Sequence, residues 1–106
     1  LIDTACGLSG AGPAYIYLVI EALADGAVMY GMPRDKAYKY AAQAVLGSAK
    51  LLKECGGDID AWINKVCSPG GTTIQGVNSL KEADLDKTVA EAFHKSYSRD
   101  IELSGN

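Results

Sequence analysis

The run AYIYLVIEALADGAVMY, Ala14 to Tyr30, carries only two charges, Glu21 and Asp25. Spaced four apart, they share one face of a helix and leave the rest of its circumference apolar. Pro13 suits a first helical turn, where a missing N–H costs nothing, and Gly31 and Pro33 mark the end. The spacing therefore predicts a helix opening at Pro13 and closing near Tyr30. A helix apolar on nearly every side needs cover on nearly every side. A membrane span is the rival reading, but the two acids interrupt the run well short of roughly 18 uncharged residues. A buried core helix is the expectation.

The next segment, PRDKAYKYAAQAVLGSAKLLKEC, repeats the demand. Pro33 opens it, Asp35 falls in its first turn, and Gly56-Gly57 follows its end. Lys36, Lys39, Gln43, Lys50 and Lys53 fall on one narrow stripe, while the alanines, Val45, Leu46, Leu51 and Leu52 fill the remainder. Ala41, Ala44 and Gly47 would let another helix approach closely. A monomer of 106 residues cannot cover two such helices, so a symmetric homodimer is expected.

Beyond Gly57, Asp58 is placed to cap a short helix from Ile59 to Val66, with Trp62 as its anchor. A further helix is expected from about Thr72 to Glu82, and a last one from Leu85 to about Ile101, capped by Asp84. No stretch alternates with period two long enough for a strand. The predicted fold is all-α, a bundle of about five helices interleaved with a second subunit.

Composition narrows the function. A formal net charge of -3 and scattered Lys and Arg argue against a nucleic-acid surface. Cys6, Cys55 and Cys67 are odd in number and lack any C-x-x-C pair, which fits reduced thiols in a cytoplasmic or mitochondrial-matrix compartment. With one histidine, His94, they do not give zinc-ligand spacing, and no metal is expected. The start, Leu1-Ile2-Asp3, has no basic n-region, so a signal peptide is not expected; a piece of a longer chain is. Tyr15, Tyr17, Tyr30, Tyr38 and Tyr40 are expected at helix contacts with their hydroxyls outward.

CSPGGTTIQG, Cys67 to Gly76, departs from this helical monotony. One reading is a turn with positive φ at a glycine, capped by Thr72 or Thr73. The other uses the same geometry for binding. Glycines let a ligand reach backbone N–H groups, and these open a helix whose N-terminus favours an anion. Ser68, Thr72 and Thr73 add hydroxyls, and no Lys follows as a phosphate loop would require. A small carboxylate suits the loop. A second glycine run, LSGAGPAY from Leu8 to Tyr15, reads as close helix packing.

In order and spacing, GLSGAGPAY, EALADGAV, GMPRDKA, AAQAVLGSAK and VCSPGGTTIQGV resemble the C-terminal dimerisation domain of pyrroline-5-carboxylate reductases. The likeness covers essentially all of residues 1–106, as one helical dimerisation and substrate-binding domain. It implies reduction of 1-pyrroline-5-carboxylate to L-proline with NADPH or NADH, the last step of proline synthesis. The cofactor would be held mainly by an N-terminal Rossmann domain, for which this chain has no strand-borne G-x-G-x-x-G. It also implies interleaved homodimers, in some members decamers, with no membrane partner. Carried over by position, Ser68, Gly70, Gly71, Thr72 and Thr73 would cradle the substrate carboxylate, with Thr73 also near the ring nitrogen as a catalytic donor. Ala11 stands where the family commonly has a second serine. The alternative is a pure dimerisation module of another Rossmann-type dehydrogenase.

Overall fold

The computed structural model describes residues 2–67 and 71–104. Among them are five α-helices and no strand: α1 (Ile2–Met29), α2 (Arg34–Cys55), α3 (Ile59–Cys67), α4 (Thr72–Glu82) and α5 (Leu85–Ser104). The all-α expectation holds; α2 runs between Pro33 and Gly56 as its punctuation predicts, and α4 begins at Thr72 directly after Gly71. The chain divides into two units, residues 18–77 and a second made from residues 1–17 and 78–106.

α1 departs from its expected start. It begins eleven residues earlier, at Ile2, and Pro13 lies inside it. Tolerance of Pro in a first turn does not require that it be there. Upstream, Thr4 to Leu8 is helix-compatible, and Asp3 supplies an acid in the first turn. Pro13 brings no N–H, so the Ser9 carbonyl has no donor one turn on.

In the unit of residues 18–77, the end of α1 is closed by paired backbone bonds. Met32 N–H reaches the Ala27 carbonyl at 3.3 Å and Gly31 N–H the Val28 carbonyl at 3.0 Å. This is the double closure that needs a left-handed residue, and Gly31 supplies it with φ +101°. Arg34 then ties the start of α2 back to Asp25 of α1 at 2.6 Å, and lies 5.6 Å from the Tyr38 ring centroid. The hydrogen bond to Asp25, and after it Tyr38, raises the guanidinium pKa further above its ordinary value. Both partners are largely exposed, so the pair sets geometry more than stability. The buried residues here are Ala24 on α1 with Ala37 and Ala41, one turn apart, on α2. Their small side chains suit closely approaching helices.

Gly56 closes α2 with φ +64° and its N–H on the Leu52 carbonyl at 2.8 Å. Trp62 donates its indole N–H to the Gly56 carbonyl at 2.9 Å, with the Lys65 ammonium 4.8 Å from its ring centroid. The anchoring role expected of Trp62 is therefore real. Asp58 contributes a backbone carbonyl to α3, accepting from Ala61 at 3.1 Å and Trp62 at 3.2 Å. Asp84 departs from a capping residue's usual extended backbone: its φ is +56°. It turns the chain out of α4, and its carbonyl accepts the first bond of α5 from Thr88 at 2.9 Å.

The other unit seats the first half of α1 on α5. Tyr15 donates its hydroxyl to the Ala92 carbonyl at 3.2 Å and is also bonded to the Ser96 hydroxyl. Its oxygen thus points inward, against the outward expectation, because it meets acceptors on α5 there. Phe93 and Tyr97 stack with centroids 5.8 Å apart. Gly7 admits that pair: a Cβ built on it would stand 3.1 Å from Tyr97 Cδ1. Gly10 and Gly12 have nothing within 4 Å at the corresponding place. Close packing within the chain thus holds at Gly7 and fails for the two glycines of the LSGAGPAY run.

The largest difference from expectation is burial. Among the described residues the buried hydrophobics are three alanines, and α1 is not a buried core helix within its own chain. Tyr17 is 69% exposed, Leu18 64%, Met29 81% and Tyr30 92%. Tyr17, Tyr30 and Tyr40 accordingly make no helix contact that covers them. Asp3–Met29 is long and apolar enough, by length and composition, to cross a membrane, with a mean hydropathy of 1.3. The two acids do not disqualify it, because the helix extends farther upstream than Pro13.

The Gly7–Tyr97 contact yields a prediction. Gly7→Leu forces a branched side chain into space that Tyr97 and Phe93 already fill. Overpacking of this kind costs roughly 1–3 kcal/mol, and a thermal melt followed by circular dichroism should show the midpoint falling. An unchanged or higher midpoint would mean that Tyr97 is not seated there.

Candidate functional site

Gly71, with a φ of +81°, stands directly before the first residue of α4. A Cβ there would meet nothing within 4 Å. The glycine is thus required by backbone conformation and not by crowding. Thr72 and Thr73 follow as the first two residues of α4. Of the residues expected to form a carboxylate cradle, Gly71, Thr72 and Thr73 are contiguous and exposed at this helix start. Ser68 and Gly70 lie outside the described residues.

The capping role expected of the threonines is not met. Neither hydroxyl is hydrogen-bonded to another described residue. The reason is positional: a capping side chain must sit just outside the helix, and both threonines are already inside it. The position before them belongs to Gly71, which has no side chain to offer. The first N–H groups of α4 and the two threonine hydroxyls thus lie together at an exposed helix start. Such a group can accept an anion by direct hydrogen bonds, helped by the helix dipole.

Other candidates separate cleanly. His94 is exposed on α5. Cys6 and Cys55 are exposed and Cys67, at the end of α3, is partly covered. No cluster of three or more potential metal ligands occurs among the described residues. Those residues also contain no strand leading into a glycine-rich turn of the Rossmann kind.

Sequence reasoning missed the bond joining Tyr15 on α1 to Ser96 on α5. No local signal reveals a contact between residues so far apart in the chain. It also missed a broad apolar groove of about 620 Å³, bordered by Leu8, Gly12, Pro13, Ile16, Tyr17 and Val89. The helical extension upstream of Pro13 is what creates it.

Comparison with known proteins is consistent along the whole chain. Residues 1–103 match the family model described as pyrroline-5-carboxylate reductase dimerisation. The pyrroline-5-carboxylate reductase of Escherichia coli is 49% identical over 104 residues, covering 98% of this chain and 39% of that protein. The solved 1-pyrroline-5-carboxylate reductase of Streptococcus pyogenes superposes with a TM-score of 0.85 at 44% identity, over 92% of this chain and 38% of the other. A Plasmodium falciparum pyrroline carboxylate reductase with NADP bound gives 0.83 at 33% identity, over 92% and 37%. The chain thus spans about two-fifths of the length of the relatives it matches. The residues quoted for the resemblance and this match over residues 1–103 agree: the chain belongs to the pyrroline-5-carboxylate reductase dimerisation family.

Proposed function

We propose that this chain is the helical, C-terminal part of an oxidoreductase that reduces 1-pyrroline-5-carboxylate to L-proline. The observation that carries the reading is the family match across residues 1–103. A nicotinamide cofactor, NADPH or NADH, would supply the hydride and be held by the part of the protein beyond these residues; the NADP bound to the Plasmodium relative supports that class. This chain would supply the substrate carboxylate's cradle and the subunit interface. Exposed thiols at Cys6 and Cys55 suit a reducing compartment such as the cytoplasm.

The cradle works by orientation. Backbone N–H groups at the start of α4, with the Thr72 and Thr73 hydroxyls, hold the substrate carboxylate. The ring is then fixed with its imine nitrogen toward the Thr73 hydroxyl, which donates a hydrogen bond there as the nitrogen becomes an amine. Ser68 and Gly70, carried over by position, would belong to the same cradle. Fixing a small substrate in this way removes much of the entropic part of the barrier. An equally anionic ligand without the ring would bind but could not react.

The uncovered apolar faces of α1 and α2 favour a second copy of the chain as their cover. Burying one Leu or Val side chain contributes roughly 1.5–3 kcal/mol, while whole domains are stable by only about 5–15 kcal/mol. Leaving Tyr17, Leu18, Leu23, Leu46 and Leu51 wet forfeits a comparable sum. A bilayer is the less favourable cover, because Glu21 and the Asp25–Arg34 pair would enter it.

Three outcomes follow. Sedimentation at micromolar concentration should give a dimer, and a folded 11.1 kDa monomer would refute the interface. Ala44 is exposed in the single chain, so Ala44→Glu should be harmless to a monomer; here it should instead abolish cooperative folding.

The second concerns Thr73 in the full-length enzyme. Thr73→Ala removes a donor to a charge-developing group, worth roughly 1.5–3 kcal/mol, so kcat/KM should fall about ten- to a hundredfold with little change in melting. Normal kinetics with lowered melting would reduce the loop to a turn.

The third separates backbone from ligand at Gly71. Gly71→Asn should melt closer to the parent than Gly71→Val, since asparagine tolerates a left-handed backbone and a β-branched residue resists it. Equal melting of the two would contradict the φ of +81°.

A further inference from the structure

No further inference is drawn: the strongest candidate, the cleft between α1 and α5 lined by Cys6, Gly7, Gly10, Ala11, Ser96 and Tyr97, offers one exposed thiol beside a stripe of small residues, and nothing in the structure shows what would fill it.

Discussion

Unmet burial is the constraint on which the molecule depends. Hydrophobic residues make up 48% of the chain, yet the described residues enclose only Ala24, Ala37 and Ala41. Alanine contributes little when buried, because a methyl group removes little surface from water. These three residues position α1 and α2 without stabilising them much. Leu18, Leu23, Leu46 and Leu51 stay exposed within the chain, so the apolar area that would stabilise both helices is left wet there. Under the proposed interface, folding and assembly become one thermodynamic event.

Local punctuation made much of the fold legible. Gly31, Gly56 and Gly57 all take positive φ where helix ends were expected, because the chain there needs a residue without a Cβ. The start of α4 at Thr72 was readable for the same reason, from Gly71, whereas the turn after its end is made by Asp84. Pro13 misled, since a residue permitted in a first turn is also tolerated inside a helix that packing holds together. Asp58 and Asp84 share a residue type favoured for capping, but the contribution seen at each is a backbone carbonyl. Residue preference names a position more readily than it names the bond made there.

The site was legible in its composition and less so in its detail. A helix start after paired glycines is a local feature, and Gly71, Thr72 and Thr73 stand where that reading puts them. The assignment of the threonines as caps failed because both lie inside the helix, and a capping side chain belongs to the residue just before it. The Tyr15–Ser96 bond was beyond reach, since nothing near either residue announces the other.

The unit built from residues 1–17 and 78–106 has a consequence in time. Its bonds join residues 77 to 93 positions apart, as in Tyr15 to Ala92 and Thr4 to Tyr97. The α1–α2 hairpin closes instead across the nine positions from Asp25 to Arg34. By loop-closure entropy the long connection costs about 2 kcal/mol more than the short one. On a ribosome, the hairpin's residues emerge and can pair while α5 is still unmade. The first half of α1 must wait for α5, so its apolar segment stays uncovered while the residues between the two are made. Pulse-labelled exchange protecting residues 2–17 ahead of 18–55 would contradict this order. A nascent chain of this kind spends its youth exposed to whatever else in the cell binds bare helices.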